Sequence, residues 1–223
     1  MTDLVGLSAP VRERFLDRAE AREVGLAAGR DAIRSAANAI RAIHRGEDER
    51  AAELIDEARH ALSTGAAACE PYPEVRHAGF VQDAAKEVAE AVLTRAAIAG
   101  DELPGPDEVG VDDAPWLHGL AETVGELRRA CLDRVRAGHL DEAERMLTTM
   151  QEILSALATI DVPDGLTRGL RRAADGARAI TERTRGDLTT AAGQRDLKAA
   201  LDAHREVLER SMAKIDDGDD AAS

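Results

Sequence analysis

The sequence predicts an all-α protein, and three observations carry that prediction. Apolar residues recur at three- and four-residue steps through most of the 223 positions. Aromatic residues make up only 2% of the chain beside 44% hydrophobic residues, too few aromatics for a typical sandwich or propeller. Glycine and proline fall at the ends of the periodic stretches, where helices start and stop.

Taken in order, Ser8 and Pro10 signal the start of a first helix that continues without another proline to Arg45, and Gly46 punctuates it. Asp48 caps a second helix whose stripe of Ala52, Leu54, Ile55, Ala58 and Leu62 runs toward Cys69. After Pro71 and Pro73, a third helix over 74–99 carries Phe80, Ala84, Val88, Ala91 and Arg95 at helical steps. Gly100 ends it, and Pro104, Gly105, Pro106 and Gly110 mark an exposed acidic connection. Asp113 and Pro115 open a fourth helix with the stripe Leu117, Leu120, Val124, Leu127, Cys131 and Val135, closed by Gly138. A fifth helix over 139–160, a sixth over 163–186 and a seventh over 196–215 complete one helical domain, 1–215. The acidic, small-residue segment 216–223 is expected to be a disordered tail.

Cys69 and Cys131 form neither a disulfide framework nor a metal knuckle. With no signal-peptide layout and no long uncharged apolar run, they point to a reducing cytosol and no membrane contact. The net charge is −14, and only three of the 29 basic residues, Lys86, Lys198 and Lys214, are lysines. Such a surface suits a halophilic cytosol, because concentrated salt screens its self-repulsion. It also opposes general attraction to polyanions, so contact with nucleic acid requires a local arginine cluster. Phosphate-binding glycine loops and the GxSxG elbow are absent, which removes support for nucleotide-fuelled and acyl-transfer chemistry.

Two helices carry close carboxylates. Glu87 and Glu90 lie three residues apart, and Glu122 and Glu126 four apart, so each pair shares one side of its helix. Facing pairs would suit a hard cation such as Mg²⁺ or Mn²⁺, which takes oxygen ligands and can promote phosphodiester hydrolysis. A solvated acidic face accounts equally well for the spacing. On the first helix Arg30, Arg34, Arg41 and Arg45 fall within a narrow arc beside Leu26, Ile33, Ala36 and Ile40. Arginine forks along this stripe would track a single-stranded phosphate backbone, unless acids of the chain itself occupy them. The doublets Arg128, Arg129 and Arg171, Arg172 share that ambiguity. The six histidines show no ligand spacing and read as surface residues.

At these helices the sequence resembles the translin superfamily, and its Trax branch more closely than translin itself. The sharpest stretch is WLHGLAETVGELRRACL over 116–132 followed by AGHLD over 137–141; KEVAEA over 86–91 and the late block from GLRR at 169–172 through Asp175 and Gly176 to Arg185 and Gly186 also match, in the family's order. The resemblance implies a seven-helix bundle that assembles into a hollow homo-oligomer, an octamer by family likeness, and binds single-stranded RNA or DNA. In the Trax branch it further implies Mg²⁺-dependent cleavage of RNA. Carried over residue by residue, Glu87 and Glu90 stand at that branch's paired glutamates, Glu126 at the glutamate of Gly-Glu-Leu, and Glu122 at the place of an aspartate. The implied function is a Mg²⁺-dependent endoribonuclease. Its rivals are a non-catalytic translin-type binder of single-stranded nucleic acid and a salt-tolerant helical scaffold.

Overall fold

The first helix is set by its cap. Asp3 Oδ1 accepts the Gly6 N–H at 2.9 Å, which starts α1 (Leu4–Arg45) one turn before the expected Ser8 and leaves Pro10 inside it. The Gly6 carbonyl, deprived of a donor by Pro10, stands on an exposed end where water can serve it. Gly46 ends α1 at φ 74°, a left-handed conformation that lacks steric cost only for glycine. The computed structural model describes the backbone of residues 3–220 and the side chains of residues 3–211.

The remaining elements are α2 (Asp48–Cys69), α3 (Pro73–Arg76), α4 (Gly79–Ala99), α5 (Pro106–Val109), α6 (Asp113–Arg136), α7 (Leu140–Ala158), α8 (Asp164–Thr167) and α9 (Leu170–Asp220). The all-α prediction holds, with six long helices and three single turns among the described residues in place of seven helices. The expected helix over 74–99 is divided because Ala78 is extended at φ −66°, ψ 152°. The expected sixth helix is broken at Arg168 and Gly169, both at positive φ, which separate α8 from α9; the rest of it is continuous with the expected seventh in α9. No proline interrupts 187–195, and an isolated glycine such as Gly193 costs a helix only about 1 kcal/mol. Of the expected tail, residues 216–220 fall on the α9 backbone and 221–223 lie outside the described residues.

The connection between α4 and α6 is more ordered than an exposed acidic loop. Val109 is buried, and the Pro104 carbonyl accepts the Trp116 indole N–H at 3.0 Å. Around it α1 packs along α2 and α4, while α6 packs against α4, α7 and α9. Alanine dominates the contact surfaces: Ala32, Ala36, Ala39, Ala84, Ala89 and Ala143 are fully enclosed. Both cysteines are buried thiols. No helix among the described residues is long and apolar enough to cross a membrane.

Two helix ends are left uncovered. Leu4, Leu7, Val11 and Phe15 form an exposed stripe on the first turns of α1, and Leu197, Leu201 and Leu208 another on the distal half of α9.

Candidate metal centre

The α4–α6 contact brings together acids that are separated by more than 30 residues in sequence. It is close because Gly119 faces α4: a Cβ there would lie 2.7 Å from Ala89 Cβ, 2.9 Å from Glu90 N and 3.0 Å from Lys86 O. With the backbones so near, side chains from one face of α4 and one face of α6 meet. Glu87, Glu90 and Glu122 each offer a carboxylate oxygen, and these oxygens all lie within 4.8 Å of one another. Three oxygen donors from two helices at this spacing fit a hard divalent cation.

One member distinguishes this group from a solvated acidic face, for Glu87 is half-buried and Glu122 exposed but Glu90 is enclosed. Glu90 is only 8% exposed. Burial first, and then the charges of Glu122, Glu87 and Glu126, push its carboxyl up to about 8. A side chain placed this way holds a proton at neutral pH unless a cation compensates its charge.

Glu126 stands apart from the three-acid group and is bound instead to α1: its Oε2 pairs with His44 Nε2 at 2.5 Å. The His44 hydrogen bond holds the Glu126 carboxyl below the usual carboxylate range against the opposing effect of burial, with further help from the charges of His44 and Arg129. The expectation that the histidines are surface residues therefore fails at His44, whose side chain is 5% exposed. His118 is half-buried, its Nε2 2.8 Å from the Thr167 carbonyl oxygen. The one available signal for His44 was its position on α1, one residue past the buried Ile43 and so at the edge of the apolar face.

Lys86 is the other residue that spacing did not single out. Its ammonium lies 3.0 Å from Glu87 Oε1 and 2.8 Å from Glu122 Oε1. Burial opposes that charge, but the hydrogen bonds to Glu122 and Glu87 outweigh it and raise the Lys86 pKa. A cleft of about 230 Å³ opens beside it, lined by Gln82, Asp83, His118, Glu122 and Arg168.

The arginine stripe is exposed as expected, and its partners divide it. Arg34 pairs with Asp31 at 2.8 Å and Arg45 with Glu47 at 2.7 Å, whereas Arg41 bonds the Asn38 amide oxygen and Arg30 has no ion-pair partner among the described residues. Of the doublets, Arg128 bridges to Asp187 on α9 at 2.9 Å, and Arg171 lies 3.9 Å from Asp161.

No protein-family model matches the chain. A chain of AfC3PO in a complex with duplex RNA shares 34% identity and a TM-score of 0.78, over 83% of this chain and 96% of that one. A crystal structure of AfC3PO gives 33% identity and a TM-score of 0.76 over 83% and 97%. Apo-NeC3PO, at 17% identity and a TM-score of 0.75 over 86% and 98%, is similar in fold alone. An uncharacterized protein of Methanocaldococcus jannaschii is 27% identical over 175 residues, 76% of this chain and 75% of that protein. These C3PO structures are of the translin–Trax type, and the likeness extends over nearly their whole length. The chain belongs to the translin superfamily.

Proposed function

We propose that this protein is a Trax-type, metal-dependent endoribonuclease of the cytosol that binds single-stranded RNA and works as a homo-oligomer. The observation that carries the reading is the convergence of Glu87, Glu90 and Glu122 from two helices, with one of them buried. A surface whose acids served only hydration would leave them all in water. Glu87, Glu90 and Glu122 would hold Mg²⁺ or Mn²⁺, whose contribution at such a site is to offset charge on a phosphodiester and ease deprotonation of an attacking water. Glu90 gives up its carboxyl proton when the cation is held, so binding releases a proton near neutral pH. Glu126, kept ionised by His44, is the base that takes the proton of the nucleophile, with the imidazole fixing its orientation.

The α1 arginines would bring the strand to this site. Arg30 is exposed with no acid partner among the described residues, and the pairs of Arg34 and Arg45 are exposed and screened by solvent, so a phosphate can displace Asp31 or Glu47 at little cost. Duplex RNA in the AfC3PO complex supports an RNA partner. The uncovered stripes of α1 and α9 support assembly, since a monomer would leave Leu4 71% and Phe15 61% exposed. Other copies of this chain are proposed to cover them, the octamer implied by family likeness being one such arrangement.

Incubation of labelled single-stranded RNA with the purified protein in Mg²⁺ or EDTA tests the reading. Cleavage is expected only with Mg²⁺, and Glu87→Gln with Glu122→Gln should reduce it by about 10²-fold or more while RNA binding persists. Binding without metal-dependent cleavage would leave the non-catalytic translin-type binder.

A further inference from the structure

Lysine is nearly excluded from this chain, yet one of its three lysines sits among the acids of the candidate centre. Lysine differs from arginine in presenting a compact, mobile point charge in place of a planar fork. The Lys86 ammonium contacts Glu87 and Glu122, two of the three carboxylates whose oxygens converge. A divalent cation and this ammonium therefore compete for the same oxygens. The cleft beside Lys86 gives the ammonium somewhere to go. Asp83, one turn back on α4, lines that cleft, is exposed, and has no ion-pair partner among the described residues.

We propose that Lys86 is a tethered counter-ion of the acid cluster, bound to Glu87 and Glu122 in the absence of metal and displaced into the cleft toward Asp83 when a divalent cation enters. The inference rests on the reading of Glu87, Glu90 and Glu122 as a divalent site. Lys86 is thereby a specificity-determining residue. A free monovalent ion carries no more charge than the ammonium and must compete with a cation that is always at hand. A divalent ion carries twice the charge and can use the third carboxylate, Glu90, which Lys86 does not contact. Potassium at high concentration would then leave the centre to Lys86, while Mg²⁺ or Mn²⁺ would not.

Two measurements decide it. Mn²⁺ binding by calorimetry, without RNA, should be at least about tenfold tighter in Lys86→Met than in the unsubstituted protein, and no tighter in Lys86→Arg. In the unsubstituted protein labelled with ¹³Cε-lysine, Mg²⁺ should shift the Lys86 resonance while Lys198, exposed on α9, acts as an unmoved reference. If Mn²⁺ binds both proteins with equal affinity, or Lys86 stays fixed at saturating Mg²⁺, Lys86 is a static ion-pair partner and the divalent site stands without it. If neither protein binds Mn²⁺, the site and the inference fall together. The resonance measurement needs no substitution, so misfolding of a variant does not shelter the proposal.

Discussion

Replacing Glu90 by glutamine isolates the energy stored at the centre. In the folded protein the carboxyl is raised from its ordinary value of 4.5 to about 8 by burial and by the charges of Glu122, Glu87 and Glu126. The folded state therefore binds more protons than the unfolded chain between those values, and stability falls as pH rises through that window. The loss is under about 1 kcal/mol at pH 5 and about 3 kcal/mol at pH 7, and it levels off above about pH 8. Glutamine has nearly the same shape and does not titrate. Glu90→Gln is thus expected to gain stability over the unsubstituted protein by about 3 kcal/mol between pH 5 and pH 8. Urea unfolding in EDTA at matched protein concentration measures the difference, because the other titrating groups are common to both proteins. Mg²⁺ should shrink or reverse it, since a bound cation favours the ionised carboxylate that only the unsubstituted protein has. A difference that stays within about 0.5 kcal/mol across that pH range would refute the reasoning, for it would mean that water reaches Glu90 and solvates its charge.

Other substitutions probe the surroundings. His44→Gln should lower kcat for RNA cleavage about 10- to 100-fold with KM little changed, because it removes the partner that orients Glu126 without touching the arginine stripe; steady-state kinetics on a labelled RNA reads both. Gly119→Ala should destabilise the protein by about 1–3 kcal/mol despite alanine's better helix propensity, since two of its three clashes are with backbone atoms of α4; thermal melting checks it. The halophilic proposal predicts a higher Tm in molar KCl than in dilute buffer, as screening relieves a net charge of −14, and an unchanged Tm would dismiss it.

Much of the architecture was legible because its signals are local. The stripe Leu54, Ile55, Ala58 and Leu62 on α2 and the stripe Leu120, Val124, Leu127 and Cys131 on α6 are buried as their spacing predicts. The errors came where local signals were weak or misleading. The expected sixth helix stopped at Gly186, yet α9 runs on because one flexible residue costs less than the helix around it returns. At the site, spacing placed Glu87 with Glu90 and Glu122 with Glu126 on helix faces, but could not say which residues from other helices would face them. The three acids that converge take two members from one pair and one from the other. Glu126 is drawn to His44 across 82 positions of sequence, and Lys86 contacts Glu122 across 36. Both contacts are tertiary, so no periodicity within one helix encodes them.

The aromatic poverty of the chain and the chemistry of its site are connected through packing distance. Helices that meet through leucine and phenylalanine stand toward the far end of the usual 8–10 Å interaxial range, while those that meet through glycine and alanine approach the near end. Here the buried Ala89 faces Gly119, which lies directly against the α4 backbone. A glutamate side chain spans only a few ångströms, so carboxylates from two helices reach one another over such a contact only if the backbones are close. The same closeness removes water from Glu90 and gives Lys86 both Glu87 and Glu122 as partners. Larger side chains at Ala89 or Gly119 would add apolar burial and at the same time part the acids. A core built for maximum burial would use them; small residues at this crossing trade that stabilisation for a cluster of converging carboxylates.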